Sequence, residues 1–473
     1  MNMQLTRRDL MKGLATTSVI SAGIPRTVWA QEPPTPLMKR LSEYMSQAES
    51  RALPADVLEK TKYHILDTFA AMISGSQLTP GRAAIQFVRA YGGDRVATVA
   101  ASNILCGPIE AALANGVMAH ADETDDSWPS GWHPGCNVIP SALAVGEKFG
   151  ITGAHFTRAV ALGYDLGARM LTALRPGVFD THKSTHSIGG IFGSGAAAAC
   201  AAKLNSQQIR WVLDYTAQQS SGIAAWSRDT DHIEKGFAFG GMPARGGVTS
   251  ALLVHSGWTG VDDIFSGENN FFMANAPHGD LNALIDRLGE RFEIMRTSIK
   301  KWTVGTPIQA PLDALEAILK RRPLAPDQVR EIVVRMDPRT SVVNDREMPD
   351  INIQHMLAIM LVDRTATFAA AHDKKRMQDP LILRQKAKVR LESNSGQPLL
   401  TLTLSDGSSI MENPTAVRGT AENPMTRGEV VEKARDLMQP ILGVSATTRL
   451  IERLLDFENI RNVRELRPLV QRA

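Results

Sequence analysis

Residues 159–174, AVALGYDLGARMLTAL, carry the pattern on which the fold turns. Alanine and glycine alternate irregularly with Leu, Tyr and Met, and the same small-residue composition returns in SGAAAACAAKL at 194–204. Small residues along helices let backbones approach closely, which predicts a tightly packed, all-helical body. Working outward, PADVLEKTKYHILDTFAAMISG (54–75) opens on Pro54 and sets Val57, Tyr63, Leu66 and Phe69 on roughly one face. PIEAALANGVMAHA (108–121) and IPSALAVGEKFG (139–150) read the same way, so the helical pattern is expected from about residue 36 to 297.

After residue 298 the pattern changes. REIVVRM (330–336) and AKVRLES (387–393) cluster β-branched residues, and PLLTLTLSDGSSIMEN (398–413) reads as two strands joined across Asp406 and Gly407. LDALEAILKRR (312–322) and INIQHMLAIMLVD (351–363) remain helical between them. The expected fold is therefore mainly α: a large all-helical domain plus a smaller α+β lid domain. The first part of the helical domain spans 31–297, the lid 298–418, and C-terminal helices over 419–473 rejoin the helical domain. A chain of 473 residues is long enough for two or three domains.

Charged residues make up 21%, apolar ones 43%, and the formal net charge is +3, a globular balance that points to neither a nucleic-acid nor a membrane partner. Three separated cysteines, Cys106, Cys136 and Cys200, offer no disulfide framework and no cysteine zinc site. Residues 1–30 are set apart from the fold. Arg7 and Arg8 in TRRDLMKG, the modestly apolar LATTSVISAG and the small-residue site VWA occur in the order of a twin-arginine signal peptide, which implies a bacterial, periplasmic location.

The chemically dense stretch is AHADETDDSWPSGWHPG at 119–135. The spacing of Asp122, Thr124 and Asp126 resembles a calcium loop, but Ser127 stands where its glycine is needed and His133 where its bidentate glutamate is needed. GSGAAA at 193–198 matches a loose dinucleotide fingerprint without a βαβ unit around it, and close helix packing explains it better. Carboxylates and imidazoles packed this closely suit proton transfer, a structured corner, or a metal held by His120, Asp126 and His133, and residue types alone leave the three open.

From ANGVMAHADETDDS into HPGCNVIPSALAVGE, the chain resembles the MmgE/PrpD family, and the resemblance continues through THKSTHSIGGIFGSGAAAA, EKGFAFGGMPARGGVTSALLVHSGWTG, IKKWTVGTPIQAPLDAL, VDRTATF and ENPMTRGEVVEKARDLM. The resemblance implies a helical domain with an α+β lid, usually as a homodimer. It also implies a lyase that needs no cofactor or metal and acts on a small polycarboxylate, most closely a 2-methylcitrate dehydratase, with epimerase and decarboxylase activities as relatives. By position, Glu123 matches the family's active-site acid, His133 its histidine, and Lys235 and Lys300 its two lysines. His182, Ser184 and His186 compete for a further histidine's role. Gln309 stands where many members have His, and His355 is expected in place of a lid tyrosine.

Such lyases pass through a carbanion beside a carboxylate, so the site must supply positive charge or hydrogen-bond donors where negative charge develops. Lys235, Lys300, His133 and Arg245 would clamp substrate carboxylates. His133 or His186 is the expected base, and Glu123 or Asp126 would orient it. Lys301 adjoins Lys300 and, if the chain is extended there, one of the two points to solvent. His120 reads as a core histidine, Asp125 and Asp126 as caps or Asx turns, and Trp128 and Trp132 as walls of the cleft.

Overall fold

A computed structural model describes residues 33–129, 131–175, 181–394 and 399–472. The signal-peptide reading over 1–30 lies outside the described residues. The protein is mainly α, a large helical domain with a smaller α+β domain. Its principal body helices are α1 (Pro36–Gln47), α2 (Ala55–Gly75), α3 (Thr79–Tyr91), α4 (Pro108–Ala119), α5 (Gly135–Phe149), α6 (Gly153–Ala173), α7 (Thr185–Ala201), α8 (Ser206–Gln219) and α9 (Met242–His255).

Every residue of α7 is buried, so this helix is the axis around which the body packs. Its small residues are what allow that. A Cβ on Gly193 would stand 2.8 Å from the Gly163 carbonyl oxygen of α6, and a Cβ on Gly163 would stand 2.8 Å from the Gly193 oxygen. GSGAAA thus serves helix packing, as its sequence context suggests. The helical expectation overreaches between residues 256 and 297, where only short turns such as Phe271–Asn275 and Leu281–Leu284 form. Gly257, Gly267 and Gly289 adopt φ of +101°, +77° and +80° there, a conformation that an α-helix does not contain.

The smaller domain holds α10 (Thr306–Arg321), α11 (Ile353–Asp363) and a four-stranded sheet of β1 (Val329–Met336), β2 (Val389–Ser393), β3 (Leu399–Leu404) and β4 (Ser409–Glu412). The strand order is β2-β1-β3-β4. β1 pairs in parallel with β2, Ile332 opposite Val389, and antiparallel with β3, Ile332 opposite Leu402. The parallel pair needs a long crossover, which α11 supplies. β3 and β4 form the hairpin expected across Asp406 and Gly407, with Gly407 at φ +85°.

Two hydrophobic cores result. Ile308, Leu315, Ile332, Met356 and Leu402 belong to the smaller one. Val430, Leu437, Leu450 and Leu454, on α12 (Arg427–Leu442) and α13 (Val444–Leu455), belong to the body core with α2 and α7. The chain enters and leaves the smaller domain at one place, where Ile299 N–H donates to the Gly419 carbonyl at 3.1 Å. No helix among the described residues is long and apolar enough to cross a membrane.

Candidate active site

The acidic stretch is the loop between α4 and α5. Helix α4 stops at His120, whose φ of −118° and ψ of 38° leave the helical region. Side chains from distant parts of the chain then take hold of each residue that follows. Asp122 pairs with His372 Nε2 at 2.9 Å. Glu123 binds Lys235 through Oε1 and Lys300 through Oε2, the latter at 3.3 Å, and Lys300 also donates to the Glu123 carbonyl at 2.8 Å. The Thr124 carbonyl accepts from Lys433 Nζ at 2.9 Å. Ser127 and Ser298 exchange backbone hydrogen bonds of 2.9 and 2.8 Å, which ties the loop to the segment entering the smaller domain.

Asp125 and Asp126 face different environments. Asp125 Oδ1 accepts from His120 Nδ1 at 3.0 Å and from His133 Nδ1 at 3.1 Å; both rings must donate, because a carboxylate can only accept. With Nδ1 donating to Asp125, the neutral form of His133 carries its lone pair on Nε2, the atom a base would use. Asp126 instead accepts from His64 Nδ1 and the Tyr164 hydroxyl, both at 2.6 Å, and from Gly135 N–H at 2.8 Å. It anchors the start of α5 behind the site.

Burial favours neutral carboxyls in this loop, and the partners outweigh it. Lys235 and Lys300 hold the Glu123 carboxyl well below its usual range, and His120 and His133 do the same for Asp125. Burial lowers His120 to about 4 and pulls His186 well down, so both rings are neutral. The Lys300 ammonium is stabilised in spite of burial by Glu123 and Asp125.

These groups open on a cleft of about 480 Å³ between the body and the smaller domain. His133 and His186 line it with ring centroids 5.3 Å apart and planes 28° apart. Phe239 stacks on His186 at 3.6 Å, from a π-helical turn at Phe237–Gly241. A wider turn is needed there because Gly240 meets α4 backbone to backbone: its Cβ would lie 2.0 Å from the Gly116 oxygen. Trp132 wedges between α6 and α7, its Cη2 2.3 Å from where a Gly167 Cβ would be.

Residues 39–283 match the MmgE/PrpD N-terminal domain and residues 302–457 the MmgE/PrpD C-terminal domain. The chain belongs to the MmgE/PrpD family. Among its relatives, a human cis-aconitate decarboxylase is 25% identical over 88% of this chain and 90% of its own length. A cis-aconitate decarboxylase of Aspergillus terreus is 21% identical over 91% and 95%, and a cis-aconitate decarboxylase-like protein of Aspergillus oryzae is 22% identical over 94% and 99%.

Set against this MmgE/PrpD frame, the structure brings Glu123, His133, His186 and Lys235 together on the cleft wall, with Lys300 buried directly behind Glu123. Other expected residues lie elsewhere. Asp126 orients neither His133 nor His186, since its oxygens are taken by His64, Tyr164 and Gly135. Arg245 is on the outward face of α9, beside Phe87, Tyr91 and Glu110 in a separate surface recess, and so cannot clamp a substrate in the cleft. Lys301 turns to Glu316 at 2.5 Å. Gln309 braces the hinge loop, with Nε2 donating to the Trp302 and Val304 carbonyls at 2.8 and 2.9 Å. His182 is exposed at φ +56°, and Ser184 caps α7 by accepting from Ser187 N–H.

His355 is fully buried on α11 in the smaller domain's core, and burial lowers it to about 4. The charged residue that lines the cleft from that domain, among the described residues, is Arg346, in an irregular stretch with no periodicity to reveal it. His120, expected in the core, is buried but shares Asp125 with His133. A metal held jointly by His120, Asp126 and His133 is not supported by the Asp126 geometry. His120, Glu123 and His232, or His120, Asp125 and Cys136, do converge closely enough for a cation. In both sets the carboxylate is already engaged by lysines or imidazoles, and burial keeps the Cys136 thiol protonated.

Proposed function

We propose that the protein is a lyase that removes a proton beside a substrate carboxylate and expels a β-hydroxyl. The observation that carries this reading is the His120–Asp125–His133 arrangement opening on a cleft that also presents Lys235 and His186. His133 Nε2 takes the proton from carbon, and the freed electron pair delocalises into the adjacent carboxylate. Lys235, which lines the cleft, supplies positive charge for that developing anion, and Lys300 holds Glu123 in place behind it. The pair then forms the double bond as hydroxide departs, and a proton delivered from the Lys235 ammonium releases it as water. The assignment to 2-methylcitrate in particular rests on sequence resemblance alone.

The cis-aconitate decarboxylase names of the relatives support decarboxylation as the second reading, in which the same groups stabilise the carbanion left by carbon dioxide and return a proton to it. Epimerisation needs only proton removal and return, so the same base serves it. Proton NMR in D₂O, with citrate, 2-methylcitrate, malate and cis-aconitate offered to the purified protein, separates these outcomes. Loss of water, loss of carbon dioxide or deuterium incorporation would each identify one of them. Ligand-induced stabilisation with no exchange or turnover would replace the enzyme by a carboxylate-binding protein. Export by the twin-arginine route and homodimer formation complete the proposal; cell fractionation and light scattering test them.

A further inference from the structure

The lining of the cleft is largely aromatic and aliphatic. Trp226 and Phe239 meet edge to face, with centroids 4.7 Å apart and planes at 82°, on the body side. Val343, Met348 and Ile351 face the cleft from the smaller domain, and Val342 at its mouth is 56% exposed. Apolar side chains converging on a cleft suit the apolar part of a ligand. The volume of about 480 Å³ falls in the range of sites for ligands larger than a citrate-sized acid.

The charges tell the same story. Lys235 and Arg346 line the cleft as cations, and Glu123 and Asp229 line it as carboxylates. Lys300 lies behind the wall between Glu123 and Asp125, so the ammonium groups of the site already have anionic partners. A tricarboxylate would bring three negative charges into a lining whose formal charges cancel, while leaving the apolar walls wet.

We propose that the substrate joins one reacting carboxylate, and at most a second acid group, to a bulky apolar or aromatic body. The carboxylate arm faces Lys235 and His133. The body lies between the Trp226–Phe239 pair and the strip formed by Val343, Met348 and Ile351, and Arg346 is placed to receive the second acid. This rests on the proposed carbanion chemistry but is tested separately from it.

The experiment is calorimetric titration of the full-length protein with succinate, propylsuccinate, benzylsuccinate and cis-aconitate, with deuterium exchange followed on the same acids. Benzylsuccinate is expected to bind about tenfold to a hundredfold more tightly than succinate, and more tightly than cis-aconitate, with propylsuccinate between. Trp226→Ala should reduce that preference to below about threefold by removing one wall, and Met348→Ser, at the opposite wall, should reduce it in the same direction. A flat series, tightest binding by cis-aconitate, or no binding by any substituted acid overturns the inference. A clear apolar preference without exchange upholds it and removes the proton-abstraction reading; exchange without that preference does the reverse.

Discussion

In the proposed chemistry the organising side chain is Asp125, because one carboxylate oxygen fixes the tautomer of two imidazoles. Asp125→Asn keeps the shape and removes the anion, so turnover should fall about 10²- to 10⁴-fold, and His133→Gln should cost at least about 10²-fold. If Asp125 acts through His133, the double variant loses little more than the worse single one; additive losses in the turnover assay would deny the coupling. Glu123 predicts a different readout. Replacing it by Ala leaves buried Lys300 without its nearest anion, and urea unfolding should show a loss of about 3–5 kcal/mol. Glu123, His133, Lys235 and Lys300 were legible in the sequence through resemblance, and the paired histidines around an acidic run were visible by themselves. The division of labour between Asp125 and Asp126 was not, since His64 and Tyr164, which claim Asp126, lie 62 and 38 residues away in sequence. Arg245 is the opposite case. Ala244, Gly247, Val248 and Ala251 mark the buried face of α9, and helical periodicity alone puts Arg245 off it.

At the scale of elements, the connection between the two domains and the loop it carries decide whether the site is assembled. Gly419 sits at φ +99°, and a Cβ there would lie 1.9 Å from the Ile299 oxygen, one residue before Lys300. Gly419→Ala should therefore push the two paired segments apart and move Lys300, and turnover should drop by about tenfold or more while the far-UV spectrum stays helical. A second contact is titratable. The helix Phe368–His372 docks on the body through Phe368 N–H to Asp436 at 3.1 Å and through the His372–Asp122 pair, and Asp122 raises His372 to about 9 against the opposing effect of burial. A histidine raised in the folded state stabilises it fully below its ordinary value near 6.5 and loses that contribution as pH climbs through about 9. His372→Gln should accordingly lower the melting temperature more at about pH 6 than at about pH 10, and an equal deficit at both would show that the pair is not ionic in the folded protein. Local elements of this kind read well from sequence: helix α11 and the hairpin turn at Gly407 need only nearby residues. The parallel pairing of β1 with β2 was hidden because it joins residues 332 and 389 across a whole helical crossover.

For the whole molecule, the arrangement of two cores on either side of one cleft makes ligand binding and domain closure a single equilibrium. Phe239 and Trp226 pack with the body core and Val343 with the smaller one, yet all three line the same space. A ligand touching both walls binds only the folded, docked state, so at a hundred times its Kd it should add about 2.7 kcal/mol to stability. The added protection should not be confined to one side. Hydrogen exchange read by mass spectrometry with a bound acid should slow at 226–239 and at 342–351 together, because the amides of each wall open only when the other releases the ligand. Slowing at 226–239 alone would mean that the acid is held by the body and that Arg346, Val343 and Met348 take no part in retaining it. The comparison is sharpened by Gly419→Ala. If the hydrogen-bonded segments at 299 and 419 set the approach of the two walls, that substitution should weaken protection at 342–351 more than at 226–239, with the body core unaffected.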